Sequence, residues 1–157
     1  MIISNIEGVK ITKISEIKDN RGNILHMLRS DEEHFIQFGE CYFSELLPGA
    51  IKAWKCHRKQ IQNFAVPVGR VLLVIYDNRD FSATNGEFFE VKLGRPDAYY
   101  RISINAGIWY GFKSLSNQNS LISNCTNIPH NKSECETIDL DDCLIPYNWV
   151  TENVLIR

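Results

Sequence analysis

The chain has 157 residues, of which 44% are hydrophobic and 23% are charged, and its formal net charge is −2. This length is sufficient for one domain with a substantial core but short for two, so we expect a single domain over residues 1–157. The near-neutral charge lacks the basic excess that is typical of nucleic-acid-binding proteins. No apolar run reaches the about 18 residues of a membrane-spanning helix. The first residues lack the cationic and apolar regions of a signal peptide, which predicts a cytoplasmic protein.

Turn-forming segments recur at short intervals along the chain. They are DNRGN (19–23), LPGA (47–50), VGR (68–70), DNRDFSATNGE (77–87), GRPDA (94–98), NAG (105–107) and NQNS (117–120). Between them lie short segments rich in β-branched and aromatic residues: CYFSEL (41–46), VLLVIYD (71–77), EFFEVKL (87–93), YYRISI (99–104) and SLISNC (120–125). Short strands separated by frequent turns favour an all-β sandwich or barrel.

Helical periodicity is nearly absent from the chain. Residues 30–38 are predicted to supply at most a turn or two of helix, and the segment IPYNWVTENVLIR (145–157) is consistent with either a short helix or an added strand. With so little helix, a jelly roll is the preferred architecture.

Residues 45–77 carry the most informative pattern, because single polar side chains interrupt an otherwise apolar sequence. Lys52, Lys55, His57 and Gln62 lie between two glycine turns, in a segment that reads as a strand carrying alternating polar side chains. Lys55 and His57 are two residues apart, so they are predicted to point to the same face of one strand, with Cys56 on the opposite face. A small β-barrel lines a pocket in this way.

Metal binding is disfavoured by the same pattern. A three-histidine site in a small barrel requires a His-x-His pair on one strand and a third histidine on a later strand. Lys55 occupies the first position of that pair, and Tyr110 stands where the later histidine would be needed. The five cysteines include no C-x-x-C pair and suggest reduced thiols. We therefore expect neither a metal nor another cofactor.

An ordered series of short motifs resembles the dTDP-4-dehydrorhamnose 3,5-epimerase family. The series is D-x-R-G-N (19–23), L-P-G-x-I-K-x-W (47–54), G-R-V (69–71), D-x-R-x-x-S-x-T-x-G (77–86), G-x-W-x-G-F (107–112) and I-P-x-x-W (145–149). The resemblance implies a double-stranded β-helix (cupin) jelly roll, a homodimer, and a nucleotide-linked 4-keto sugar as substrate, without a metal. It also implies a place in surface polysaccharide or deoxysugar synthesis.

The family's catalytic residues are altered at the matching positions. A ketone at C4 acidifies the neighbouring C–H bonds; in the family a histidine removes the proton, an aspartate orients it, and a tyrosine acts as the acid. The base histidine corresponds to Lys55, its aspartate to Asn148, and a second family histidine to Tyr110. The acid tyrosine corresponds to Pro129 or His130. The surrounding motifs are nevertheless intact.

Two interpretations follow from these replacements. In the first, the protein is an isomerase whose site has been rebuilt, because a lysine in a low-dielectric barrel can act as a base near neutral pH and needs no carboxylate partner. His57, Tyr110 and His130 are then candidates for the second proton transfer, and Asn148 is consistent with a neutral lysine. The outcome would be a single epimerisation or a carbonyl migration. In the second, the protein binds a sugar nucleotide without turnover.

Substrate-binding residues are predicted from the same motifs. Arg21 and Lys52 match family positions that contact the substrate, and a guanidinium suits paired phosphate oxygens. Arg79 is a further candidate, with an ion pair to the nearby Asp77 as the structural alternative. Gln62 and Trp109 complete the set: Gln62 belongs to the polar pattern, and Trp109 would stack on a base or sugar or else be part of the core.

Overall fold

The structure is a computed structural model that describes residues 2–150. The strands in this range are β1 (Val9–Lys13), β2 (Glu16–Ile17), β3 (Ile24–Leu25), β4 (Glu40–Leu46), β5 (Ile51–His57), β6 (Gln62–Val68), β7 (Arg70–Asp77), β8 (Phe88–Gly94), β9 (Tyr100–Ile104), β10 (Ile108–Ser114), β11 (Ser120–Thr126) and β12 (Cys135–Thr137). A 3-10 turn, Lys132–Glu134, is the helical element of this range. No helix within it is long and apolar enough to cross a membrane.

Ten of the strands form two antiparallel sheets that face each other. The first sheet has the order β1-β9-β6-β11-β4, and the second has the order β12-β5-β10-β7-β8. Strands β2 and β3 pair as a separate hairpin. The all-β prediction is confirmed, and the five segments predicted as strands correspond to β4, β7, β8, β9 and β11.

The main core lies between the two sheets. It combines inward side chains of the first sheet, such as Phe64 and Ile102, with those of the second, such as Leu73 and Ile75. Strand β7 is buried on both faces, as its continuous apolar sequence suggests. Burial of these side chains stabilises the fold by roughly 1.5–3 kcal/mol for each large apolar residue.

A second apolar cluster covers the outer face of the second sheet. It contains Trp54 and Cys56 of β5 and Trp109 of β10, and the C-terminal segment packs Ile145 and Trp149 on them. Because side chains alternate along a strand, this outward packing of Trp54 and Cys56 directs Lys55 between the sheets. The outer cluster thus fixes the orientation of the β5 residues that face the interior.

Two segments without a firm prediction adopt irregular structure. Residues 30–34 form turns, with Glu32 N–H donating to Arg29 O and Phe35 N–H donating to Glu32 O, and no helix follows. The Glu32 carboxylate instead accepts a hydrogen bond from Arg101 at 2.5 Å. Residues 145–150 are neither helix nor strand, and the remainder of the predicted C-terminal element lies outside the described residues.

Candidate active site

A cavity of about 260 Å³ lies between the two sheets. The first sheet supplies Tyr42, Ser44, Phe64, Ile122 and Asn124, and the second supplies Lys52, Ala53, Lys55, Tyr110, Phe112 and Thr137. This volume is slightly below the about 300–1,000 Å³ of pockets that enclose drug-sized ligands. The cavity is therefore suited to a group of monosaccharide size, with the rest of a larger ligand outside it.

The inner end of the cavity is aromatic. The ring of Phe64 lies 5.0 Å from that of Tyr110 and 4.9 Å from that of Phe112, measured between centroids. These contacts cross from one sheet to the other, since Phe64 belongs to β6 and the other two rings to β10. A bound ligand would meet an apolar surface here and polar groups elsewhere.

Lys55 lines this cavity from the second sheet. Its cross-strand neighbours are Tyr110 on β10 and Thr137 on β12, and both also line the cavity. The Lys55 ammonium makes no ion pair or hydrogen bond with any residue between 2 and 150, and Cys56 packs on the outer face as predicted. The side chain is exposed through the cavity mouth. An amine without a partner, aimed into a cavity, is chemically available to a ligand.

His57 lies behind the cavity wall and contacts two ionisable groups. Its Nδ1 lies 2.5 Å from Glu134 Oε1, and its Nε2 lies 3.1 Å from the Tyr110 hydroxyl. All three side chains are buried. Glu134 also accepts hydrogen bonds from the backbone N–H groups of Lys59 and Gln60, at 3.0 and 3.1 Å. Glu134 was not among the residues predicted from the sequence to form the site.

The electrostatics of this triad determine where its protons lie. Burial by itself would raise the pKa of Glu134, but hydrogen bonds from His57 and the two backbone groups lower it overall. The carboxylate therefore stays ionised and keeps a proton on Nδ1 of His57. The charged imidazole donates a hydrogen bond from Nε2 to the Tyr110 oxygen, whereas in the neutral form Nε2 accepts a hydrogen bond from the Tyr110 hydroxyl. Burial raises the pKa of Tyr110 well above its usual value, so this phenol stays protonated.

Polar side chains of the first sheet form a second network at the cavity. Asn124 Nδ2 donates to the Tyr42 hydroxyl at 2.8 Å and to Gln62 Oε1 at 2.7 Å. Gln62 is buried directly behind Asn124 and does not itself line the cavity. Tyr42 and Asn124, which are cross-strand partners on β4 and β11, were not among the residues predicted from the sequence.

Lys52 lines the cavity at its exposed side, and its predicted contact with substrate stays a prediction. Its Nζ donates to Ser44 Oγ at 3.1 Å and to the Glu45 carbonyl at 2.5 Å, which joins β5 to β4. The ammonium is exposed. It places a positive charge near Lys55 on the same wall of the cavity.

Arg21 and Arg79 do not line the cavity. Arg21 is exposed on the β2–β3 hairpin and makes two hydrogen bonds of 2.9 Å to the Asp19 carboxylate. Arg79 pairs with the buried carboxylate of Asp77 at 2.7 Å and donates to the Glu7 carbonyl, the structural alternative weighed above. Substrate contact by either guanidinium stays a prediction.

Three further candidates also lie outside the cavity. Trp109 packs in the outer cluster, because its neighbour Tyr110 takes the inward position on β10. His130 is exposed on the loop before the 3-10 turn and lines a separate surface depression with Arg58 and Glu134. Asn148 is exposed, and its Oδ1 accepts a hydrogen bond from the Val150 N–H at 2.9 Å. The predicted roles of these three residues in catalysis or binding remain predictions.

A metal centre has no support in the described geometry. No three His, Cys, Asp or Glu side chains of residues 2–150 come close enough together to hold a metal ion.

Comparison with known proteins identifies the family. The chain matches the family model of dTDP-4-dehydrorhamnose 3,5-epimerase over residues 4–156. It is 33% identical over 149 residues to the spore coat polysaccharide biosynthesis protein SpsL of Bacillus subtilis, covering 94% of this chain and 98% of the relative. It is 35% identical over 146 residues to the probable low-salt glycan biosynthesis epimerase Agl13 of Haloferax volcanii, covering 92% and 90%.

Solved structures agree with this assignment. The structure of a dTDP sugar isomerase from Desulfovibrio desulfuricans G20 superposes with a TM-score of 0.94 at 43% identity, covering 98% of both chains. The epimerase RmlC of Legionella pneumophila, in complex with dTDP-4-keto-L-rhamnose, shares the fold with a TM-score of 0.82 at 21% identity, covering 97% of this chain and 84% of that one. From the family match and the full-length relatives, the chain belongs to the dTDP-4-dehydrorhamnose 3,5-epimerase family.

Proposed function

We propose that the protein is an isomerase that removes a proton next to the carbonyl of a nucleotide-linked 4-keto sugar. The observation that carries the proposal is the Lys55 amine, which has no hydrogen-bond or ion-pair partner among residues 2–150 and lies in a cavity of monosaccharide size. Family membership supports the same reaction class. Lys55 takes the place that the family's base histidine occupies in the motif series.

The cavity offers a separate group for each part of an enolisation. Lys55 takes the proton from the carbon next to the ketone, and negative charge develops on the ketone oxygen. Tyr110 is the cross-strand neighbour of Lys55. Glu134 holds His57 so that Nε2 lies 3.1 Å from the Tyr110 oxygen. When the imidazole is charged, Nε2 donates to that oxygen and leaves the Tyr110 O–H to point to the developing oxyanion. The aromatic rings beside Tyr110 exclude water from this contact.

The names of the relatives guide the choice of substrate. One similar protein is described as a dTDP sugar isomerase, and others belong to glycan or spore coat polysaccharide biosynthesis. We propose a dTDP-linked 4-keto-6-deoxysugar as the substrate class and surface polysaccharide synthesis as its use. The sugar would occupy the cavity, and the Lys52 ammonium at its mouth would meet the diphosphate. Because the family's base and acid are replaced, we expect one stereocentre to be inverted, or the carbonyl to migrate.

A homodimer would reconcile the position of Arg21 with its predicted role. The β2–β3 hairpin carries two exposed apolar side chains, Ile17 and Ile24, which are 50% and 60% exposed. Glu16 of this hairpin is bound to Arg95, near the β1–β9 side of the first sheet, whereas the cavity lies near β4 at the other edge. We propose that a second copy covers the hairpin and receives Arg21 at its own cavity.

Subunit complementation tests this arrangement. Arg21→Ala and Lys55→Met variants should each be impaired, and mixing them under conditions of subunit exchange should restore activity, because each mixed dimer contains one intact site. If both variants are impaired but the mixture recovers nothing, Arg21 does not serve the partner's cavity.

Deuterium exchange is the decisive experiment for the proposed reaction. The protein is incubated in D2O with dTDP-, GDP- and CDP-linked 4-keto sugars, and exchange at C3 and C5 is followed by NMR. Exchange at either carbon is expected, and it names the carbon on which the enzyme acts. A sugar nucleotide that binds measurably but never exchanges would refute the proposal and identify the protein as a catalytically silent sugar-nucleotide-binding protein.

A further inference from the structure

We propose that Tyr42 is the proton donor to the face of the sugar ring opposite Lys55. The inference rests on the proposed function and extends it, because inversion at carbon requires that the proton removed from one face be replaced from the other. The sequence motifs of the family did not point to this residue. Its position and its hydrogen bonds do.

Tyr42 and Lys55 line the same cavity from opposite sheets. Tyr42 projects from β4 of the first sheet, and Lys55 projects from β5 of the second. Tyr110 is directly cross-strand from Lys55 and so lies on the same wall as the base. A ring held between the walls presents one face to Lys55 and Tyr110 and its other face to Tyr42. Tyr110 is placed for the carbonyl oxygen, and Tyr42 for the carbon.

The hydrogen-bond network behind Tyr42 determines which way its hydroxyl points. The backbone N–H of Asn63 donates to Asn124 Oδ1 at 3.0 Å, which fixes that oxygen as the acceptor. Asn124 Nδ2 must then supply the hydrogens for its two remaining contacts, the Tyr42 hydroxyl and Gln62 Oε1. The Tyr42 oxygen therefore accepts from Asn124, and its own O–H is left to point elsewhere.

A second anchor gives the same orientation independently. Gln60 Nε2 donates to the Ile128 carbonyl at 2.7 Å, so the Gln60 side-chain oxygen faces Gln62 and accepts from Gln62 Nε2 at 2.8 Å. This leaves Gln62 Oε1 as the acceptor for Asn124. The backbone hydrogen bonds at the two ends of the network therefore require the same orientation of the side-chain amides between them. The Asn124 donor also stabilises the phenolate that remains after Tyr42 releases its proton.

The proposed step balances without a further reactant. The Lys55 amine takes the proton as the C–H bond breaks, and the electron pair passes into the enolate. The C–H bond re-forms on the other face as the Tyr42 O–H bond breaks, leaving an ammonium at Lys55 and a phenolate at Tyr42. Both side chains are exposed at the cavity mouth, so solvent returns a proton to Tyr42 and removes one from Lys55.

A Tyr42→Phe variant tests the assignment by separating exchange from inversion. The variant keeps the ring and loses the donor. Lys55 can still remove the proton, and its ammonium, which exchanges with D2O, can return a deuteron to the same face. We expect deuterium uptake with retained configuration to stay within a few-fold of wild type, while formation of the inverted product falls about 100-fold or more. Tyr100→Phe, a change of the same kind on β9 outside the cavity, is the matched control and should invert at the wild-type rate.

Asn124→Asp provides a second variant that acts through the orientation of Tyr42. Asn124 donates a hydrogen bond to the Tyr42 oxygen, whereas a carboxylate at this position accepts one from the Tyr42 O–H. In the variant the O–H therefore turns away from the cavity. Inversion should again fall while exchange persists, and thermal unfolding verifies that the variant is folded. A merely structural role would reduce both readouts together.

The outcomes distinguish the inference from the function on which it rests. Inversion by Tyr42→Phe within a few-fold of wild type overturns the assignment of Tyr42 and leaves the proposed function intact. Equal loss of exchange and inversion in that variant also overturns it, because Tyr42 would then act in binding. No exchange by the wild-type protein with a bound keto sugar overturns both.

Discussion

Replacing Lys55 by methionine should abolish proton abstraction without affecting the fold. Methionine keeps an unbranched side chain of similar length and removes the amine. Because the ammonium makes no hydrogen bond or ion pair with residues 2–150, its loss should change the free energy of unfolding by no more than about 0.5 kcal/mol. A positioned general base contributes about 10²–10⁴ in rate, so the activation free energy should rise by roughly 2.7–5.4 kcal/mol.

The assay compares exchange, binding and stability in the same variant. Deuterium uptake next to the ketone measures proton abstraction, titration calorimetry with the sugar nucleotide measures binding, and thermal denaturation measures stability. Lys52→Met is the matched control, because Lys52 is the other lysine that lines the cavity. It should weaken nucleotide binding while exchange at saturating substrate stays near the wild-type rate. Exchange by Lys55→Met within threefold of wild type would refute the assignment of Lys55 as the base.

Three further predictions concern the second sheet and the 3-10 turn that precedes β12. Glu134→Gln should lower the free energy of unfolding by about 1–3 kcal/mol, because one amide oxygen cannot serve His57 and two backbone donors. Because the pKa of Glu134 is lowered by folding, its contribution to stability is complete above its unfolded pKa near 4.5 and is lost as the pH falls through its folded pKa. The difference in unfolding free energy between wild type and variant should therefore shrink in acid. A difference that grows in acid would contradict this reasoning. Tyr110→Phe should slow exchange about 100-fold with binding retained, and unchanged exchange would exclude Tyr110 from oxyanion stabilisation. Gly111→Ala places a Cβ against Ala53 Cβ, well inside van der Waals contact, and should cost about 1–3 kcal/mol of stability in chemical denaturation, whereas an unchanged midpoint would mean that β5 and β10 separate freely.

The part of the site on β5 could be predicted from sequence, because it depends on alternation along one strand. Trp54 and Cys56 are apolar and Lys55 is not, so the pattern itself separates the outer cluster from the cavity. Strand β4 gives no such signal. Its inward residues include Tyr42 and Ser44 and its outward ones include Phe43, so hydrophobicity does not indicate which face is which.

Contacts between distant segments could not be predicted at all. Glu134 is 77 residues from His57 in sequence, and only the pairing of β12 with β5 brings the 3-10 turn beside the buried imidazole. Motif alignment also does not give position in space: Asn148 matches a catalytic position of the motif series and is exposed outside the cavity, so its role stays a prediction. A motif gives the order of residues along the chain, whereas the site depends on the register between strands.

Under the proposed assignment of Lys55 as the base, a carboxylate at position 148 is not required. An imidazole needs a partner that fixes its tautomer and orients its ring, which is the usual role of a carboxylate beside it. An amine has no tautomers, and a carboxylate in contact with it would favour the charged form, which cannot accept a proton. In this structure the carboxylate–imidazole pair does exist, but it is formed by Glu134 and His57 behind Tyr110. The pair is therefore in position to orient a hydrogen-bond donor, whereas Lys55 makes no ion pair with the residues between 2 and 150.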